Sequence, residues 1–113
     1  MTQMIFSVKL KGADTLYEPL VDLQDEETDL QGGGSSYHAS GQHREVGADT
    51  KLKIYMCCEA ITGTNWEFTV KRTDTDPEVT VYTANGYTGE PLESRDGESI
   101  KRFSERKVTV TIE

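Results

Sequence analysis

The feature that most constrains this chain is a period of two. Met4, Phe6, Val8 and Leu10 alternate with Ile5, Ser7, Lys9 and Lys11, and the set starting at Met4 forms one apolar face. Residues 51–60 repeat the pattern, with Leu52, Ile54, Met56, Cys58 and Ala60 against Lys51, Lys53, Tyr55, Cys57 and Glu59. Trp66, Phe68 and Val70 follow, opposed by Glu67, Thr69 and Lys71; Val79 and Val81 then alternate with Thr80 and Tyr82. The last segment sets Val108, Val110 and Ile112 against Lys107, Thr109 and Thr111. Such runs, rich in β-branched and aromatic residues, are strands with one face buried and one wet, the pattern of antiparallel sheets.

The links between these runs carry turn chemistry. Residues 61–65 join two strong strands and contain Gly63, which predicts a hairpin. Asp74-Thr75-Asp76-Pro77 reads as a turn, and Asn85-Gly86, followed by Gly89 and Pro91, predicts an extended loop over 84–97. A short strand is expected over 99–103.

Two regions are less regular. Over 13–23, Thr15 and Glu18 have capping-box spacing, and Leu16, Leu20 and Leu23 share a helical face, which would give one short helix near 15–23. Pro19 opposes that reading and favours an edge strand with Tyr17, Pro19, Val21 and Leu23 on one side. Residues 24–47 read as a long loop with an acidic run at 25–29 and a flexible Gly32-Gly33-Gly34-Ser35-Ser36 link, with strand character near 37–39 or 43–46. Six to eight strands in 113 residues make one domain, 1–113. The expected fold is all-β, an antiparallel two-sheet β-sandwich, Ig-like or jelly-roll-like.

Composition narrows the partners. With 12 basic and 20 acidic residues the net charge is −8, which repels phosphate backbones and anionic membranes and argues against both as partners. No run of 18 apolar residues exists to span a bilayer. The first residues carry no signal-peptide pattern, so a cytoplasmic protein is expected, although a mature secreted chain with an added methionine would look the same.

Candidate chemistry is sparse. Cys57 and Cys58 are adjacent, so on a strand they point to opposite faces: Cys58 to the core, Cys57 outward as a thiol able to pair with another chain. Neither C-x-x-C spacing nor an identifiable base supports a catalytic or zinc-binding role. His38 and His43 lie in the Gly/Ser-rich segment and read as solvent-exposed loop histidines. Asp74, Asp76 and Glu78 place three carboxylates at alternate positions, a partial calcium-ligand pattern without the EF-hand register; the alternative is a solvated turn balanced by Lys71 and Arg72. No other cofactor is implied. Tyr82, Asn85 and Tyr87 around the Asn-Gly turn, with Tyr37 and His38 in the other loop, are the candidate binding residues, since exposed rings on loops offer contact area at low entropic cost. Trp66 reads as a core anchor.

None of the phosphate-loop, nucleophile or metal motifs is present, so a small hydrolase ranks last. The expected function is a non-enzymatic binding or interaction module for a protein or glycan, acting through the 24–47 loop, the 84–97 loop or a sheet edge. The alternative is a self-assembling structural subunit, a homo-oligomer built on a wet sheet face carrying Tyr55, Cys57 and Thr69.

Overall fold

The computed structural model describes residues 2–61, 63–88 and 103–112. Among these there are nine strands and no helix: β1 (Thr2–Gly12), β2 (Tyr17–Leu23), β3 (Glu26–Glu27), β4 (Gln31–Gly33), β5 (Ser36–Val46), β6 (Lys51–Glu59), β7 (Asn65–Arg72), β8 (Val79–Tyr87) and β9 (Phe103–Thr111). They form two antiparallel sheets, one of five strands in the order β4-β5-β1-β7-β8 and one of four in the order β3-β2-β6-β9. The two-sheet sandwich expected from the alternation is the observed fold.

The core is made by the inward rows of both sheets. Phe6, Leu10, Trp66, Phe68 and Val70 from the five-stranded sheet meet Val21, Leu23, Leu52, Ile54 and Met56 from the other, all at 1% exposure or less. β6 and β9 stay in register over nine consecutive pairs, from Lys51 opposite Thr111 to Glu59 opposite Phe103.

The predicted hairpin at residues 61–65 does not form. β6 and β7 lie in different sheets, and the link between them crosses the sandwich. Thr88, fully buried, fixes that corner: its hydroxyl donates to the Ile61 carbonyl at 2.6 Å and accepts from the Thr64 N–H at 3.1 Å. Its carbonyl accepts from the Gly63 N–H, and its N–H donates to the Thr64 carbonyl. Four hydrogen bonds to one threonine replace the ladder a hairpin would have supplied. As a consequence Tyr55 and Cys57 on β6 and Thr69 on β7 lie on opposite outer faces, so the single wet face expected to carry all three does not exist.

The helix reading near 15–23 also fails. β2 pairs with β6, and an irregularity between Tyr17 and Leu20, where Glu18 adopts φ +48°, turns Tyr17 to solvent while Val21 and Leu23 stay inward. Pro19 has no N–H for a helical turn.

Residues 24–47 are far more ordered than a loop. Gln24 and Asp25, both at positive φ, make the two-residue turn between β2 and β3. Gly33 pairs with Ser36 across a second two-residue turn. At Gly32, φ is +109°, and a Cβ there would lie 2.5 Å from the Ser36 carbonyl oxygen, so this position of the supposed flexible link requires glycine. β5 runs through both segments with strand character and is interrupted by a bulge at Ser40-Gly41, where Gly41 takes φ +65°. His38 and His43 are therefore strand residues, exposed on the outer face of the five-stranded sheet.

Candidate binding seam between the two sheets

A sandwich has four sheet edges, and here they fall into two kinds. On one side, β3 is two residues long and acidic, and β4 is three residues long with two glycines. Arg44, 7% exposed, closes this side. Its Nε donates to the Leu23 carbonyl at 2.8 Å, and its Nη2 reaches the Glu26 and Glu27 carbonyls at 3.3 Å. Gln24 adds a second tie: its side-chain amide donates to Glu45 and Lys51 carbonyls and accepts from the Lys53 N–H. Short, charged or covered edges resist pairing with other chains.

The other side differs. β8 and β9 are both nine residues long, and Val79-Thr80-Val81-Tyr82-Thr83-Ala84-Asn85-Gly86-Tyr87 contains no charged residue. One end of the seam between them is polar and closed. There Ser104 Oγ donates to the Tyr87 carbonyl at 2.9 Å, and Arg106 Nη2 donates to the Asn85 carbonyl at 3.3 Å. The Arg106 guanidinium lies 4.9 Å from the centroid of the Trp66 ring, and Gly86 stands opposite Trp66 in the ladder. Trp66 is buried, and among the described residues its indole Nε1 has no hydrogen-bond partner.

Beyond Arg106 the described residues of the seam are apolar. Among the described residues seven half-buried hydrophobic side chains pack against the core, and five of them (Val81, Tyr82, Ala84, Val108 and Val110) lie on β8 and β9. Among the described residues, the half-covered apolar side chains are thus concentrated along this side. Val79 is 43% exposed. Among the described residues no strand pairs with the outer side of either β8 or β9.

The sequence placed some of these residues differently. Asn85-Gly86 is not a turn: β8 runs through it, with Asn85 opposite Glu67 and Gly86 opposite Trp66, because the ladder to β7 overrides the local turn preference. Residues 84–87 are strand, and 89–97 of the expected loop lie outside the described residues, as do 99–102 of the short strand expected before Phe103. A register shift between Val70 and Lys71 leaves Val81 without a cross-strand partner; Tyr82 and Ala84 point inward opposite Val70 and Phe68, while Val79, opposite Arg72 at the strand end, is exposed.

The candidate aromatics do not form one platform. Tyr37 is half-buried on β5, its hydroxyl donating to the Leu16 carbonyl at 3.3 Å. Tyr82 packs edge-on against Phe68, centroids 6.2 Å apart, and burial pushes its phenol above the usual range while Arg106 pulls it back. Tyr87, 46% exposed, and Asn85 remain at the surface of β8. β1 and β7 separate β5 from β8, a distance of roughly 14 Å at ordinary strand spacing. His38 shares the outer face of the five-stranded sheet with Tyr87 but stands three strands away, whereas Tyr37 and Tyr82 face the core side.

The acidic trio is likewise dispersed. Arg72 donates from Nε to Asp74 Oδ1 at 2.7 Å and from Nη2 to Oδ2 at 3.2 Å, so its fork occupies both oxygens and holds the Asp74 carboxyl below its ordinary range. Among the described residues no group of three His, Cys, Asp or Glu side chains can hold a metal ion, so Asp74, Asp76 and Glu78 do not assemble as calcium ligands.

Cys58 is in the core as expected. Cys57 faces the outer side of the four-stranded sheet, opposite Leu20 and Glu105, yet it is 9% exposed and buried. The expected surface thiol is therefore covered, and the two cysteines are not joined to each other. Beside it, Tyr55 donates to Glu105 Oε2 at 2.6 Å, and burial and that bond raise the Tyr55 phenol well above its usual range.

Comparison with protein families, with curated proteins and with solved structures returned no match.

Proposed function

We propose that this chain is a non-enzymatic protein-interaction module that accepts an extended segment of another polypeptide along the seam between β8 and β9. The observation that carries this reading is the concentration of half-covered apolar residues on these two long edges, while the opposite edges are short and overlaid by Arg44. An added strand would gain main-chain hydrogen bonds from an edge and bury every second side chain on Val81, Val108 and Val110. Its preferred sequence would alternate apolar and polar residues, because the seam is apolar on the core side and wet outside.

Selection from a library of displayed extended peptides tests this. The wild-type chain should enrich alternating sequences. Thr83→Lys, an exposed edge position given the charge that natural edges use as a guard, and Val110→Lys, on the other strand, should each abolish enrichment while circular dichroism stays unchanged. Absence of enrichment by the wild type, or equal enrichment by folded variants of both kinds, would exclude the seam. A second copy as occupant is the other reading, favoured by the uncharged β8, which can pair with itself without like charges meeting. Concentration-dependent sedimentation of the chain alone, abolished by Thr83→Lys, would select it.

A further inference from the structure

The seam leaves unexplained a cluster of cations on the outer face of the five-stranded sheet. Lys9 and Lys11 on β1 and Lys71 on β7 border a groove of about 520 Å³ together with His38, Glu67 and Glu78. The ladder fixes their arrangement: Lys71 stands beside Ser7, Lys9 lies between Thr69 and His38, and Lys11 lies between Glu67 and Ser36. At a rise of about 3.4 Å per residue, the three stems root within roughly 14 Å along the sheet.

Pairing would be expected here, and none is found among the described residues. The chain has 20 acidic residues, and Glu67 stands directly across from Lys11. Yet the ion pairs within 4 Å among the described residues are Arg44–Glu26, Lys53–Asp25 and Arg72–Asp74, and none involves these three lysines. Three ammonium groups gathered on one face of a protein of net charge −8 keep their donors available to a ligand.

We infer that this face binds a short acidic segment of a partner protein, extended along β1, through Lys9, Lys11 and Lys71. The spacing selects a peptide: Lys9 and Lys11 are two residues apart on a strand, and carboxylates on alternate residues of an extended peptide repeat at the same distance of about 6.8 Å. The groove also limits length. Glu67 lies at the Lys11 end and Glu78 precedes the strand residue paired beyond Lys71, so a long uniform polyanion meets carboxylates at both ends. Ser7, Ser40 and Thr69 add hydroxyl donors between the lysines. The overall charge of −8 does not forbid this, because screening reaches about 8 Å at physiological ionic strength and the nearest groups dominate.

The test is fluorescence anisotropy with a labelled peptide carrying glutamate at alternate positions separated by serine. Lys9→Gln with Lys11→Gln removes two charges at exposed positions. Lys51→Gln with Lys53→Gln removes the same two charges, at the same spacing, from the outer face of the other sheet, where Lys53 already pairs with Asp25. The groove variant should weaken binding about tenfold and the control by less than about twofold. Equal losses, which a general field effect would give, or no binding by the wild type would overturn the inference. So would tighter binding of a sulfated oligosaccharide than of the peptide. Val110→Lys, which blocks the seam from the other sheet, should leave this binding in place, so the two surfaces fail or stand separately.

Discussion

Arg44 on β5 reaches across the sandwich and donates its Nε to the carbonyl oxygen of Leu23 on β2 at 2.8 Å, in a site where the arginine is 7% exposed. The same nitrogen is 3.4 Å from the Glu26 carboxylate, but that side chain is 70% exposed. The carbonyls of Leu23, Glu26 and Glu27, not the ion pair, therefore account for most of what this residue contributes. Arg44→Met should cost about 3 kcal/mol, because it strips buried acceptors of their donor, whereas Glu26→Gln should cost less than about 1 kcal/mol. Urea denaturation of the two variants checks the ratio; equal losses would mean that the ion pair is the working contact.

Thr88 makes a second stability prediction. Its hydroxyl is the hub of the crossing between the sheets, and valine has nearly the same shape without it. Thr88→Val should destabilise by about 1–3 kcal/mol, since the Ile61 carbonyl loses a donor and the Thr64 N–H an acceptor in a buried corner. Thr88→Ser keeps the hydroxyl and should recover most of the loss, as thermal denaturation would show.

Titration should give opposite signs at the two ends of the pH scale. Arg72 holds Asp74 below the ordinary carboxylate range, so this pair contributes stability above the unfolded carboxyl pKa and loses it as pH falls through the lowered folded value. The pair is at the surface, so Asp74→Asn should change acid stability by less than about 1 kcal/mol. Tyr55 is raised in the folded state, so its contribution is complete below about pH 10, the ordinary phenol value, and is lost as pH climbs toward the folded value. Absorbance titration should show the Tyr55 phenol still protonated where exposed tyrosines ionise; Tyr55→Phe should leave the exposed fraction of that titration unchanged. Loss of an early-ionising tyrosine in that variant would contradict the part-buried Tyr55–Glu105 bond.

How far the sequence carried this reading depends on the range of each signal. Alternation over Met4–Leu10, Leu52–Cys58, Trp66–Val70 and Val108–Ile112 located four strands and their inward faces, because the side-chain period is local. Partners are not local. Nothing in residues 61–65 announces that Thr88, 24 positions after Thr64, turns an apparent hairpin into a crossing between sheets. The 24–47 region looked loose because its strands are built on glycines at positive φ and on Arg44 facing inward, both signals of a loop when read without their neighbours. The seam was illegible for the same reason: Val108 and Val110 were readable as strand residues, but not as the edge of a sheet beside Val81 and Tyr82. Tyr87 and Asn85 were correctly read as exposed, and wrongly as belonging to a turn.

The seam is tested most directly by residue-resolved amide exchange of the wild-type chain, with and without a peptide enriched by selection. Bound peptide should slow exchange within 79–83 of β8 or 107–111 of β9, and leave 26–33 on the opposite edges unchanged. Slowing confined to 26–33, or no slowing in either β8 or β9, would contradict the assignment of this side of the sandwich as the place where the protein takes its partner.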